Sequence, residues 1–262
     1  MFGNEAGPYL FHYTTLAAAL EHILPTLSFR LSPFSQMRDP RESHAWWASA
    51  RKSGPDLPNE DELFFGFTQH LMSQKPFFKV MSLTRDDKRP PPNEIFGRGF
   101  ARPRLWEQYG GDHRGVCLCF DRDALIQHLE PELQRLGELR HGDVVYEDEP
   151  IASHVLYFDM NDAAERGIAT LVDELLKTHV DELFFKKLCD WATEYEYRFV
   201  VRTNSHDPIV VSIAPAIRGI VLGELVSRSY FPAVRALCDP HGILITQLRW
   251  VNGQPIPIPL LE

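Results

Sequence analysis

The sequence predicts an α+β fold: a mixed or mostly antiparallel sheet with flanking helices, in a single domain spanning residues 1–262. Three observations predict it. Period-2 and period-3.6 apolar patterns are intermingled along the chain, without regular strand–helix–strand units. No internal repeat or low-complexity linker divides it. Its 262 residues are 44% apolar, enough to bury a sizeable core.

The elements follow in order. Tyr9 to Tyr13 reads as a short strand. A helix capped by Thr14 or Thr15 comes next, with Leu16, Leu20, Ile23 and Leu24 on one face and Pro25 closing it. Leu27 to Leu31 is a second strand, ended by Ser32-Pro33. Phe34 to Glu42 reads as loop, because Gln36, Arg38, Asp39, Pro40 and Arg41 offer little to bury. Glu60 to Ser73 is a helix with Leu63, Phe64, Phe67 and Leu71 inward, and Phe78 to Thr84 a strand. Asp86 to Asn93, with three consecutive prolines, is a solvent loop. Arg104 to Tyr109 makes a helical turn stopped by Gly110-Gly111. Gly115 to Phe120 is a strand, after which Asp121 caps a helix to Leu136. Asp143 to Tyr146 is a short strand. Asn161 to Cys189 carries a long helical pattern through Ile168, Leu171, Leu175, Leu176, Leu183 and Phe184. Strands at Glu196 to Arg202 and Ile209 to Ile213, then Arg218 to Leu222, a helix from Ser229 to Cys238, and Ile243 to Trp250 complete the chain.

The net charge of −9 argues against nucleic-acid binding as the main role, since gripping a phosphate backbone usually needs a basic excess. Cys117, Cys119, Cys189 and Cys238 form no CxxC pair and no zinc spacing. Cys117 and Cys119 alternate with Val116, Leu118 and Phe120 as in a buried strand, which fits a reducing compartment. Met1 to Pro8 lacks the pattern of a signal peptide, and no apolar run approaches the roughly 20 residues that span a bilayer. The expected location is the cytoplasm. There is no GxGxxG, no GxxxxGK[ST], no GxSxG and no HExxH, and the eleven histidines are scattered.

Three segments place polar residues where strands should be apolar. They are Phe11-His12-Tyr13-Thr14; Ser82-Leu83-Thr84, with Trp106, Tyr109 and His113 soon after; and Glu194-Tyr195-Glu196-Tyr197-Arg198. Period-2 geometry puts Glu194, Glu196 and Arg198 on one face of a strand. Two carboxylates beside one guanidinium leave one carboxylate for a substrate, unless the strand is an exposed edge with its charges in water. His12 serves either as a structural histidine or as a site residue. Ser82 and Thr84 bond either backbone or ligand. Trp106, Tyr109 and Trp191 are more often core than site.

The order of these segments resembles a bacterial family, domain of unknown function twenty-nine seventy-one. Four places carry the resemblance: Leu10-Phe11-His12-Tyr13-Thr14 leading into a helix; Met37-Arg38-Asp39-Pro40-Arg41-Glu42; Met81-Ser82-Leu83-Thr84 followed by Trp106-x-x-Tyr109 and His113-Arg114-Gly115-Val116-Cys117; and Trp191-x-x-Glu194-x-Glu196-x-Arg198. The layout is also similar to that of ADP-ribosyltransferases, which have a His or Arg on an early strand, a Tyr or Ser-x-Ser on a middle strand and a Glu at the start of a late strand. No His-Gly-Thr or Ser-Thr-Ser is present, so Ser82, Thr84 and Tyr109 compete for the middle role.

That resemblance implies an ADP-ribosyltransferase-like fold and a transferase or hydrolase using NAD as substrate, as in a bacterial toxin or defence effector. Glu196, His12 and Tyr109 would be catalytic. Tyr13, Thr14, Arg30, Ser82, Thr84 and Glu194 would bind the dinucleotide, with no metal. A carboxylate near the ribose would stabilise the charge that develops there. Tyr13 or Tyr109 would stack on nicotinamide, and Arg30, Arg38 or Arg41 would meet the pyrophosphate. The acceptor, whether protein, nucleic acid, small molecule or water, is left open, and the five arginines and one lysine between Arg85 and Arg104 either guide an anionic acceptor or, the blander reading, simply face solvent. Two alternatives stand beside this reading. One is a non-catalytic nucleotide-binding or partner-binding module of a bacterial defence system. The other is a nucleic-acid enzyme holding magnesium on Glu194, Glu196 and Asp39.

Overall fold

The computed structural model describes residues 2–152 and 154–260. Its strands are β1 (Tyr9–Thr14), β2 (Ser28–Pro33), β3 (Ser49–Arg51), β4 (Phe78–Arg85), β5 (Val116–Asp121), β6 (Glu138–Asp143), β7 (Val145–Tyr146), β8 (Tyr157–Asp159), β9 (Lys186–Lys187), β10 (Glu196–Arg202), β11 (Ile209–Ser212), β12 (Ile217–Leu222), β13 (Leu244–Val251) and β14 (Gln254–Pro259). A ten-stranded sheet runs β11-β2-β4-β1-β5-β12-β13-β14, with β10 on β4 and β6 on β10. Among the described residues, only its β12–β13 pair is parallel. The predicted α+β class and mostly antiparallel sheet are therefore present. β3–β8 and β7–β9 are small parallel pairs outside it.

β4 organises the sheet. One edge pairs with β10 along its length, from Glu196↔Thr84 to Arg202↔Phe78. The other edge is shared. β2 takes the beginning, through Ser32↔Val80 and Pro33↔Lys79, and β1 takes the end, through Leu10↔Arg85 and Phe11↔Thr84. Past these rungs the two strands peel away. The rest of β1 stays on β5, and the start of β2 stays on β11. The result is a V on one edge of β4, with Ser82 at its apex.

A helical segment joins the two arms. Thr15 caps it, its hydroxyl accepting from the Ala18 amide at 3.2 Å. Pro25 does not close it. The Leu24 amide reaches back to the Ala19 carbonyl, and this wider π register carries the chain past the proline to Leu24–Thr26. The turn ends at Leu27, which is left-handed at φ 43°.

Alternation gives the sheet two buried faces. Leu10, Met81, Leu83, Leu118, Phe120 and Phe199 pack under the helices Arg122–Leu136 and Phe231–Cys238. On the other face, Phe78, Val80 and Val200 meet Leu63, Phe67 and Leu71 of the helix Glu60–Gln74, while Phe11, Tyr13, Cys117 and Cys119 surround Trp106.

Several sequence expectations need correction. The 34–42 segment holds a 3-10 turn (Phe34–Gln36) and a helical turn (Pro40–Ser43), and it buries Phe34, Asp39 and Glu42. Asp39 and Glu42 are buried because each finds a partner inside, which composition cannot show. The pattern from 161 to 189 is three helices, Met160–Arg166, Ile168–Thr178 and Val180–Phe184, followed by β9 and a 3-10 stretch (Cys189–Glu194). Gly167, at φ 86°, breaks it, but the apolar spacing runs on across the break. Asp86 belongs to the interior rather than the solvent loop, pairing with Arg98 at 3.1 Å.

β14 lies in a tail where three prolines discourage a strand reading. Pro255, Pro257 and Pro259 oppose Trp250, Leu248 and Thr246. The Leu260 amide donates to Ile245 O, so amides at even positions face β13 and the prolines fall on the outer row, which needs no donor. Among the described residues no helix is long and apolar enough to cross a membrane.

Candidate functional site

The V between β1 and β2 opens into a cleft of about 800 Å³. A cleft of this size suits a nucleotide-sized ligand. His12, Tyr13 and Thr14 line one wall from β1, and Arg30 lines the other from β2. Ser82 and Thr84 of β4, with Tyr109, Glu194 and Glu196, complete it. Every residue singled out as catalytic or cofactor-binding thus reaches one cavity. Phe11, Thr84 and Glu196 share a cross-strand row and hence a face, so His12 leaves β1 on the opposite face. The cleft passes through the gap and touches both.

His12 takes over the job of the missing strand. Its Nδ1 lies 2.9 Å from the Ser82 carbonyl oxygen at the apex of the V. A carbonyl only accepts, so Nδ1 carries the hydrogen. Burial lowers the His12 pKa, against a smaller opposing pull from the Ser82 bond, so the ring is neutral at pH 7. Nε2 is then a hydrogen-bond acceptor. The ring stands edge-on to Phe29 at 4.6 Å.

The floor is a buried charge cluster. Glu196 opens β10, and Arg198 follows on the same face as alternation requires. The Arg198 guanidinium donates to both Glu196 carboxylate oxygens, at 2.8 and 2.9 Å. It also donates to Glu42 Oε1 at 2.6 Å and to the Phe184 carbonyl at 2.5 Å. Lys187 bridges Glu194 at 2.7 Å and Glu196 at 3.1 Å. All five side chains are buried. The exposed-edge reading of this strand is therefore overturned: β10 lies between β4 and β6, and its charges face inward.

Glu194 is not on the strand. It ends the 3-10 stretch, and Tyr195 turns the chain through a left-handed φ of 47° before β10 begins. The Thr84 hydroxyl donates to the Glu194 carbonyl and fixes this turn. Ionic contacts then sort the carboxyls. Burial would raise Glu196, but Arg198 and then Lys187 outweigh it and hold Glu196 down to about 2. For Glu194 and Glu42 burial prevails over their cations, and both are raised.

Toward the mouth, the Tyr109 hydroxyl donates to Glu194 Oε1 at 2.9 Å, and burial together with the Glu194 charge keeps that hydroxyl protonated. The exposed Arg38 lies over the Tyr109 ring at 5.2 Å. Tyr13 also lines the cleft, but its hydroxyl donates to the Gly99 carbonyl at 2.6 Å and its ring meets Trp106 edge-on. It is a wall packed from behind rather than a free stacking platform.

Other expectations do not gather here. Arg41 turns away to Glu147 at 3.2 Å and to the Glu149 carbonyl. Asp39 accepts from the Arg41 amide at 2.9 Å and the Leu188 amide at 3.1 Å, so its oxygens serve the backbone rather than a magnesium ion. The supposed basic guide from Arg85 to Arg104 is not a surface track, because Arg98 and Arg102 are buried. Sequence reasoning missed Glu42 and Lys187. The second could have been noticed as a lysine doublet inside the apolar run Phe184-Phe185-Lys186-Lys187-Leu188. Glu42 lay within the Asp-Pro segment that carries the resemblance, but nothing local assigned it a role.

The family model described as "Protein of unknown function (DUF2971)" matches residues 105–199, a little more than a third of the chain. The matched stretch contains Tyr109, Lys187, Glu194, Glu196 and Arg198, and leaves out β1, β2 and β4. No curated protein and no solved structure matches the chain.

Proposed function

We propose that this protein acts on NAD as an ADP-ribosyltransferase or NAD hydrolase. One observation carries the reading. His12 on the first strand, Ser82 and Thr84 on a central strand, and Glu196 at the first position of a late strand line one cleft on adjacent strands, in the order of roles that the ADP-ribosyltransferase resemblance implies. The reaction would break the bond between nicotinamide and ribose. Nicotinamide leaves with the bonding electrons, and positive charge develops on the sugar. The carboxylates of Glu194 and Glu196 offer negative charge at that end of the cleft. His12 Nε2 can accept from a ribose hydroxyl. Water or another nucleophile then bonds to the sugar carbon and gives up its proton.

A second reading, a module that holds a nucleotide without breaking it, is favoured by one feature. Glu196 receives Arg198 twice and Lys187 once, which leaves little of its carboxylate for a substrate. Incubation with NAD, with and without cell extract, separates the two when mass spectrometry follows nicotinamide release and added ADP-ribose. Release lost in Glu196→Gln supports the enzyme. NAD bound and intact supports the module. Release undiminished in Glu196→Gln removes Glu196 from the chemistry. The cell-extract arm identifies the acceptor, and a modified cellular target would support the toxin or defence role.

A further inference from the structure

The cleft has opposite chemistry at its two ends. At the mouth, Arg30 and Arg38 are exposed and line the cleft, and neither has a carboxylate partner among the described residues. At the floor, three buried carboxyls, Glu42, Glu194 and Glu196, face two buried cations, Lys187 and Arg198. The shortfall falls on Glu42. Its Oε1 takes the Arg198 bond, but its Oε2 accepts no hydrogen bond from the protein although the side chain is 1% exposed. Glu42 also lines the cleft. A buried carboxylate oxygen left without a donor is unfavourable, and a ligand that supplies one relieves it.

We infer that the cleft takes a nucleoside diphosphate bearing a second, distal sugar lengthwise, its phosphates at the mouth between Arg30 and Arg38 and that distal sugar at the floor, a hydroxyl donating to Glu42 Oε2. This rests on the nucleotide reading above and adds an orientation and a recognition residue. The guanidiniums suit phosphate oxygens. The floor repels a second anion and selects a neutral donor-rich group. A dinucleotide with a distal ribose satisfies both ends, and a nucleoside diphosphate without that ribose satisfies only the mouth.

The test uses the full chain and three probes, NAD, ADP-ribose and ADP, with Kd read by calorimetry. Glu42→Gln is the decisive variant. Its carbonyl oxygen can keep the Arg198 bond, while its amide group puts a donor where Oε2 accepted. Removing a negative charge should by Coulomb's law tighten any anion, so weakening would report a lost donor–acceptor bond. The expected result is at least tenfold weaker NAD and ADP-ribose and unweakened ADP. Arg30→Gln, on the exposed rim, should weaken all three alike.

Unchanged or tighter ADP-ribose in Glu42→Gln would overturn the orientation and leave the nucleotide reading standing. Arg30→Gln without effect on any probe would also overturn it. NAD bound in this pattern but never broken would uphold the orientation and refute turnover. No binding of any probe to the wild-type chain would remove both.

Discussion

Replacing Arg198 with methionine tests whether the floor cluster holds the fold together. The substitution keeps a long apolar stem and removes the guanidinium. Arg198 is 0% exposed and serves two carboxylates and one backbone carbonyl. Its loss leaves Glu196 with Lys187 as its cation and the Ser82 hydroxyl beside it, and Glu42 with no donor. Breaking a buried ion pair from one side typically destabilises by about 3–5 kcal/mol. The carboxylate gives a second route to the magnitude. Glu196 is held at about 2 against an ordinary 4.5, and at 1.36 kcal/mol per unit that corresponds to about 3 kcal/mol. A domain stable by about 5–15 kcal/mol would stay folded but weakened.

The pH dependence follows from the sign. A depressed carboxylate stabilises the fold above its unfolded value and loses that contribution as pH falls through the folded one. The Glu196 contribution is therefore complete above about pH 4.5 and disappears toward about pH 2. The raised pKa values of Glu42 and Glu194 act in the opposite direction, so wild type alone would blur the effect. The difference between wild type and Arg198→Met isolates it. Urea unfolding should show a gap of about 3–5 kcal/mol at pH 7 that narrows below pH 4.5. Adding Glu196→Gln to the variant should recover about 1–2 kcal/mol by removing the stranded charge. A gap under about 1 kcal/mol at pH 7, or one constant down to pH 3, would refute the reasoning.

Other outcomes can be checked separately. Nitrogen NMR of the His12 ring should show Nδ1 protonated and Nε2 bare at pH 7, with a midpoint below the ordinary 6.5; a charged ring at pH 7 would contradict the tautomer. Because burial depresses His12, its stability contribution should be complete above pH 6.5 and decline as pH falls below it, and His12→Asn should flatten that segment of the profile. Thr84→Val, which strands the Glu194 carbonyl, should destabilise by about 1–3 kcal/mol in the same urea assay, and a loss of a few tenths would mean that the hydroxyl does not secure the turn. Replacing Pro255 and Pro257 with threonine restores two donors to the outer row of β14 and should make the chain self-associate in sedimentation velocity; an unchanged sedimentation coefficient would show that the prolines do not protect that edge.

The strands that build the site were legible because their signals are local. Val116 to Phe120 is apolar at every position, as expected of a strand buried on both faces, and Asp121 announces the helix after it. His12, Ser82, Thr84, Tyr109, Glu194 and Glu196 drew attention as polar groups in apolar settings, and they share a cleft. What could not be read was long-range. Glu42 lies 156 residues from the arginine that holds it. A loop rich in charge looks solvated until its partner is known. Glu194 was misplaced for a subtler reason, since Tyr195 adopts a left-handed conformation that tyrosine rarely takes, and period-2 counting runs straight through it. The strand β14 was hidden by prolines that a central strand would reject and an outer row tolerates.

The apex at Ser82 has a mechanical consequence. β4 acts as the spine of a book. One cover, β2 with β11, hangs from it by the rungs at Lys79 and Val80; the other, β1 with β5 and the strands beyond, by those at Thr84 and Arg85. Among the described residues a side-chain clasp, His12 on the Ser82 carbonyl, occupies the stretch between. The helical segment from β1 to β2, and the core that Phe29 and Leu31 share with Leu10 and Leu118, tie the covers together as well, while the unbroken β4–β10 ladder keeps Glu196 and Arg198 in place. The floor charges of β10 are thus set by a ladder in which neither cover takes part.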